Sequence, residues 1–141
     1  MTRVLKAMMD ISFALSVVVF LWWLLFGSWA AIRLTSRGPG IFRQPRVGRR
    51  GKRFICYKFR TMREGSKQAA THEMGADAIT PMGHFIRRTK IDELPQIINL
   101  LRGEMSLVGP RPCLESQHEL IEWRKRLGVL EVIPGITGLA Q

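Results

Sequence analysis

The chain is poor in the residues that build metal and disulfide frameworks. Only two of its 141 residues are cysteine, Cys56 and Cys113, far apart and with no CxxC pair. His72, His84 and His118 are equally scattered. This distribution argues against a zinc-ligand cluster and a disulfide-stapled fold, and it suits a reducing compartment. None of the three histidines is read as catalytic. Two further absences are local. No ionisable side chain occurs in the 22 positions from Ile11 to Ile32, and no Asp or Glu occurs between Arg33 and Arg63. Proline is also missing before Pro39, so nothing in the first segment forces a helix to kink. No internal repeat is visible.

The first of these gaps defines a membrane segment. A helix of that length measures about 33 Å, enough to cross a hydrocarbon core of roughly 30 Å. Arg3 and Lys6 resemble the basic start of a secretory signal. The apolar run, however, exceeds the roughly 7–15 residues of a signal core. It also ends against Arg33 and Arg37 instead of a small-residue cleavage site. A membrane anchor fits better.

The second gap leaves eleven basic residues without a local acid: Arg33, Arg37, Arg43, Arg46, Arg49, Arg50, Lys52, Arg53, Lys58, Arg60 and Arg63. A basic block directly after an apolar segment marks a cytoplasmic, juxtamembrane region drawn to anionic lipid. It suits a phosphate-rich substrate as well. The net charge of +11 cannot by itself tell one polyanion from another, so a nucleic-acid patch competes. Against that rival, the block has few aromatics in a stacking arrangement. Basic residues flank the apolar run on both sides, which favours a re-entrant helix that keeps both flanks inside. A spanning helix is the simpler alternative, because a straight helix satisfies its own backbone in lipid.

Gly38-Pro39-Gly40 should end this helix. Beyond it, IFRQ and RFICYKF read as a β-hairpin across the basic turn that holds Gly48 and Gly51. Arg63 to Ile79 has no strong period and reads as a loop with one helical turn, a solvated connector or a lid. Thr80 suits an N-cap and Pro81 the first helical position, giving a helix to about Arg88. Pro95 is tolerated only in a first turn, so the next helix starts near Asp92. Its apolar stripe is Leu94, Ile97, Ile98 and Leu101, and Arg102-Gly103 closes it. Ser106 to Val108 reads as a short extended piece broken by Gly109-Pro110. Cys113 to Gly128 reads as one amphipathic helix with Leu114, Leu120, Ile121, Trp123 and Leu127 among its apolar positions. The tail, EVIPGITGLAQ, reads as a loop.

Asp92-Glu93 is the most informative pair. Adjacent carboxylates in a first helical turn can both turn toward one point beyond the terminus. There, one can serve as nucleophile while the other helps hold a divalent cation. The ordinary alternative is that acids simply complement the dipole at a helix start. The neighbourhood favours chemistry. Arg87, Arg88 and Lys90 precede the pair, and Arg111 lies in the tight VGPRP segment. Converging cations are what attack on a pyrophosphate needs, with Arg suited to bidentate phosphate contact and Lys to a compact charge.

Three blocks occur in order: GPGIFRQPRVGRRGKRFICYKFRTM, TPMGHFIRRTKIDELPQIINLLRGEMSLVGPRP and PGITGLAQ. With them the chain, from about Lys6 to Gln141, closely resembles the bacterial sugar transferase family, the monotopic phosphoglycosyl transferases. The resemblance implies that Asp92 attacks the β-phosphate of a UDP-sugar, releases UMP and becomes a phosphosugar-aspartate. Glu93, with Asp92, would bind Mg²⁺. Lys58, Arg60, Arg88 and Arg111 match positions around the phosphates, and polyprenol (undecaprenyl) phosphate would accept the phosphosugar for membrane-linked glycan assembly. The resemblance further implies a re-entrant helix and a catalytic part on the cytoplasmic face of the bacterial inner membrane. Two features depart from the family pattern. Relatives carry a Ser-Pro pair near mid-helix, where this chain has Leu21-Trp22-Trp23-Leu24, so any bend would fall near Gly27-Ser28. Relatives also continue past PGITGLxQ, so the chain is expected to be truncated at its C-terminus relative to them.

The expected fold is therefore α+β: a membrane-anchoring helix over residues 1–34, then a small, mainly helical cytoplasmic domain with a short β-hairpin over residues 35–141. The expected partners are a UDP-sugar, polyprenol phosphate and anionic lipid, with Mg²⁺ as cofactor and no nucleic acid. The alternative is a truncated, non-catalytic membrane relative that serves binding or assembly.

Overall fold

In the computed structural model, which describes residues 3–63, 65 and 78–138, one helix runs alongside the rest of the molecule. Helix α1, Arg3–Thr35, continues for 33 residues and stops just before the Gly38-Pro39-Gly40 breaker. It starts eight residues ahead of the charge-free run, so Lys6 and Asp10 lie on it. Ala14, Val17 and Ile32 are buried, and Leu21 and Leu25 pack beside them. Steps of three, four and seven residues place these on one helix face. The other faces remain exposed.

Two apolar clusters form against that face. Ala14 and Val17 join Phe54, Cys56, Ile97, Leu100 and Met105 in the first, while Ile32 joins Phe59 and Ile86 in the second. Each fully buried Leu or Ile among these contributes roughly 1.5–3 kcal/mol relative to exposure. The α+β class is as expected, and α1 shares its cores with the domain that follows it.

Strands β1 (Ile41–Val47) and β2 (Arg53–Phe59) form the expected antiparallel hairpin, from Ile41 opposite Phe59 to Val47 opposite Arg53. β1 is three residues longer than IFRQ. β2 is an edge strand, since the sheet order is β2-β1-β4, with β4 at Cys113–Leu114. Asn99 covers that edge as a further strand would. Its Nδ2 donates to Ile55 O at 2.7 Å, and its Oδ1 accepts from Tyr57 N at 3.2 Å.

Helix α2, Pro81–Arg88, begins as the sequence predicts: Thr80 Oγ1 accepts from Gly83 N at 2.9 Å, with Pro81 in the first turn. Gly83 is required for close approach, because a Cβ there would lie 2.0 Å from Thr61 O. Met62 and Ile79 pair as an isolated bridge. The loop expected between them falls on residues that, except for 63, 65, 78 and 79, lie outside those described.

Three expectations are corrected. The helix expected from Asp92 is a 3-10 turn, Ile91–Gln96, followed by a short α3, Ile97–Leu101. A 3-10 turn advances about 20° more per residue than an α-helix, so over one such stretch the inward face moves by about one position. Ile98 and Leu101 are accordingly exposed, whereas Ile97, Asn99 and Leu100 are buried. The amphipathic helix expected from Cys113 begins only at His118. Cys113 and Leu114 are instead strand β4 against Arg46 and Val47, and α4 is His118–Arg126 with no buried residue. The tail is not all loop: β5 (Gly135–Thr137) runs parallel to β3 (Ser106–Val108). Here the two backbones nearly touch, since a Cβ on Gly135 would lie 2.1 Å from Gly109 N.

Candidate active site

The sequence brings the two carboxylates to one place by an unusual backbone step. Lys90, the last residue before the 3-10 turn, sits at φ +59° in the left-handed region. This step leads the chain from α2 into the turn and costs roughly 1–2 kcal/mol for a non-glycine residue. Glu93 N then donates to Lys90 O at 3.2 Å, closing the first turn with Asp92 and Glu93 in it. Strand β2 comes alongside this turn, and the VGPRP segment adds Arg111.

Glu93 is held from two directions. Lys58 Nζ donates to Glu93 Oε1 at 2.8 Å, and Arg111 Nη2 donates to the same oxygen at 3.2 Å. The Lys58 and Glu93 side chains are only 15% and 14% exposed, so water screens this pair weakly. Burial pushes the Glu93 carboxyl up, but Lys58 and Arg111 outweigh it and hold Glu93 below its ordinary value.

Asp92 has the opposite fate. Its Oδ1 is buried and finds no hydrogen-bond partner. Burial raises its carboxyl above the ordinary value, Glu93 adds to the rise, and Lys58, Arg87 and Lys90 only partly offset it. Two neighbouring residues of the same chemistry are thus driven apart. Such a split assigns different roles to paired carboxylates. Burial thus penalises the ionised form of Asp92.

Of the six site residues that the sequence points to, four meet here: Lys58, Asp92, Glu93 and Arg111. Arg60 is directed elsewhere. Its Nη2 donates to Ser36 O at 3.1 Å and Ser36 Oγ at 2.7 Å, tying the end of β2 to the end of α1. Arg88 is exposed on α2. A phosphate-binding role for these two rests on the resemblance alone. Arg87, by contrast, is half-buried, donates from Nε to Thr61 Oγ1 at 2.7 Å and acts electrostatically on Asp92.

Three contributors were not evident as such in the sequence. Asn99 fixes β2, and so Lys58, against α3; a polar residue inside IINLL is the only local sign of it. Asp10 Oδ1 accepts from Leu107 N at 2.9 Å, and Lys6 Nζ donates to Val108 O at 2.9 Å. Together they brace the strand that leads into VGPRP. A groove lined by residues such as Arg50, Ile121, Glu122, Lys125 and Leu130 includes none of the four clustered residues.

The donor set fits Mg²⁺. Asp92 offers a buried oxygen without a partner beside a second carboxylate. No group of three or more metal-binding side chains occurs among the described residues. A hard cation that keeps water and substrate phosphate as its other ligands suits such a pair better than one needing an all-protein cage.

Comparison with known proteins places this cluster in context. The chain is 44% identical over 115 residues to a UDP-glucose:undecaprenyl-phosphate glucose-1-phosphate transferase of Caulobacter vibrioides, covering 79% of this chain and 43% of that protein. An Escherichia coli K12 protein of the same name is 41% identical over 145 residues, covering 99% of this chain and 31% of its own length. The uncharacterized sugar transferase EpsL of Bacillus subtilis is 38% identical over 138 residues, covering 98% of this chain and 68% of its own. The chain thus spans less than half the length of the first two. The three sequence blocks, the carboxylate pair within the second of them and these likenesses agree with a family profile that matches residues 1–141. By that match the chain belongs to the bacterial sugar transferase family.

Proposed function

We propose that the protein transfers a phosphosugar from a UDP-sugar to polyprenol (undecaprenyl) phosphate at the cytoplasmic face of the bacterial inner membrane. The observation that carries this reading is the split between Asp92, half-buried with its Oδ1 short of a partner, and Glu93, ion-paired twice.

In the first step an Asp92 oxygen attacks the sugar-linked phosphorus of the UDP-sugar. A P–O bond to aspartate forms, the pyrophosphate P–O bond breaks, and UMP leaves with the electron pair. In the second step an oxygen of polyprenol phosphate attacks the same phosphorus, and the Asp92 carboxylate leaves unchanged. No net proton is needed for the exchange. Lys58 and Arg111 approach Glu93 from two sides and are placed to share their charge with incoming phosphate oxygens. Arg87 and Lys90 offset the negative charge beside Asp92. Mg²⁺ held by Asp92 and Glu93 would neutralise pyrophosphate charge during attack. The basic residues from Arg33 to Arg63 supply attraction to anionic lipid.

The test is UMP release across a panel of UDP-sugars, in detergent with Mg²⁺ and polyprenol phosphate, together with mass spectrometry of the Asp92 peptide. UMP release with a phosphosugar adduct on Asp92 is expected. Absence of both from folded protein would leave the non-catalytic reading, a membrane relative serving binding or assembly.

A further inference from the structure

Two prolines leave the VGPRP segment little means of holding itself. Pro110 and Pro112 have no N–H to donate, so neither can tie the segment through its nitrogen. The segment is held through its carbonyls instead. Pro110 O accepts from Gly135 N on β5 at 2.9 Å, Arg111 O accepts from Arg124 Nη1 on α4, and Pro112 O accepts from Arg46 Nη1 on β1 at 2.9 Å. Consecutive carbonyls are thus tied to three different elements. Between the last two ties the Arg111 side chain leaves for Glu93 Oε1, 3.2 Å from its Nη2.

The tie from Arg46 is the most constrained of the three. Arg46 is half-buried, and among the described residues no carboxylate pairs with it. Its Nε and Nη2 both donate to Gln44 Oε1, at 3.1 and 2.7 Å, and Gln44 is itself buried. Two donations into one fixed oxygen set the plane of the guanidinium and leave Nη1 for Pro112 O. An arginine that merely covered the sheet would keep its head in water. Burial instead holds Arg46 below its ordinary value, and Arg111 adds to the lowering while Glu93 opposes it. Arg46 therefore lies within electrostatic reach of both members of the pair. Strand register places it further. Gln44 stands opposite Cys56, Arg46 opposite Phe54, and Phe42 opposite Lys58. Opposed residues share a face, as do residues two apart on a strand, so Gln44, Arg46 and Lys58 belong to one face of the sheet. From that face Lys58 reaches Glu93 directly, and Arg46 reaches it through the backbone that carries Arg111.

From this we infer that Arg46, oriented by Gln44, is a positioning residue: it sets the backbone from which Arg111 meets Glu93 and incoming phosphate. Arg46 acts through Arg111 and touches no substrate. Its part in transfer rests on the reaction proposed above; its hold on Arg111 does not.

Urea midpoints of the full chain measure that hold without any turnover. Glu93→Gln and Arg111→Met should be coupled by about three- to fivefold in the unfolding equilibrium constant, and Glu93→Gln and Lys58→Met by at least as much. Arg46→Lys keeps the charge but loses the planar fork, and so releases Pro112 O. In that background the Arg111–Glu93 coupling should fall below about 1.5-fold while the Lys58–Glu93 coupling stays. An Arg111–Glu93 coupling that persists in folded Arg46→Lys, or that is absent from the parent chain, overturns the positioning. Equal loss from both pairs also overturns it, because that marks a general loosening of the sheet. If Arg46→Lys does not fold, Gln44→Met takes its place; it frees the guanidinium plane at full charge, and the same selective loss is expected. UMP release then reads the consequence for transfer. Arg46→Lys should lower kcat/KM by about tenfold where Arg111 is present, and by less than about twofold in Arg111→Met. Losses that multiply would show that Arg46 acts by another route, and the inference would fail. No UMP release from the parent chain would overturn the transfer reading alone, since the folding measurement stands without it.

Discussion

At the start of the Ile91–Gln96 turn, two adjacent carboxylates live in different surroundings. Glu93 is gripped by a strand lysine and a loop arginine, and its charge is stabilised. Asp92 has a buried oxygen with no partner, and its charge is penalised. In the proposed mechanism the contrast separates two tasks. A residue that organises cations gains from ion pairs, whereas a residue that must attack phosphorus loses reactivity when its lone pairs are engaged. Neither environment is encoded by the Asp-Glu dipeptide. Both depend on what β2 and VGPRP bring to it.

The sharpest way to break this comparison is Asp92→Asn. Activity should fall by several orders of magnitude in the UMP-release assay, with no adduct formed. Stability should move the other way. A carboxyl whose folded value is raised contributes stability at low pH and loses it as pH rises through that value, so ionised Asp92 burdens the fold at neutral pH. Asp92→Asn should therefore hold or raise Tm at pH 7. A Tm several degrees lower would mean that the Asp92 charge is stabilising, and the contrast would fail.

Glu93→Gln should lose both activity and stability. Glu93 is held below its ordinary value, so its contribution is present at neutral pH and disappears as pH falls through the folded value. Removing its charge leaves Lys58 half-buried with a weaker partner, at a cost of roughly 1–3 kcal/mol. Lys58→Met in the same chain should recover part of that loss, because an ion pair removed whole costs less than one broken. Urea midpoints for the two single variants and the double variant measure the coupling. Strict additivity would show that the 2.8 Å pair contributes nothing specific.

Much of this arrangement was legible in the sequence, and the exceptions share a cause. The hairpin, the Thr80-Pro81 helix start and the carboxylate pair are local patterns, and the structure has the first two as expected. The inward face of α3 slipped because Pro95 sits in a 3-10 turn, whose period differs from that of the helix after it. Strands β4 and β5 are not legible in the sequence, because two or three residues that pair with distant segments leave no periodic trace. Leu120, Trp123 and Leu127 have helical spacing, yet none is buried, since α4 packs only lightly on its surroundings. Asn99 inside IINLL is hard to single out, because the apolar pattern around it invites a core reading.

Asn99 tests how far the Glu93 side depends on the strand that carries Lys58. Asn99→Ala leaves Ile55 O and Tyr57 N on β2 without the amide, at a cost of about 2 kcal/mol by denaturant midpoint. At permissive temperature, kcat/KM should fall by about tenfold while Asp92 still forms the adduct. Unchanged kinetics in the folded variant would show that β2 holds Lys58 without help.

The pH dependence of activity sharpens the Asp92 side. In the proposed mechanism Asp92 must be ionised to attack, and its value is raised, so the acid limb of kcat/KM should lie above the ordinary aspartate range. Lys58 is among the cations that pull it down. In Lys58→Met the limb should move to higher pH, on top of any loss in rate. A limb that stayed fixed would assign the titration to another group.

The smallest expected effect concerns Lys90, where backbone and charge can be separated. Its φ of +59° is strained for most residues, while its ammonium helps lower Asp92. Lys90→Asn removes the charge but accepts the left-handed conformation, which Asn tolerates better than other non-glycine residues. Stability should change by less than about 0.5 kcal/mol, as for an exposed substitution, and the acid limb should move up slightly. Lys90→Val removes the same charge and adds a β-branched side chain that resists positive φ, so it should lose a further 1–2 kcal/mol or so. If the two variants are equally stable, the turn does not need the left-handed step at residue 90. If they differ in stability but share the same shifted limb, the step sets the turn and the ammonium tunes Asp92. The backbone would then place the pair, and the surrounding charges would tell its members apart.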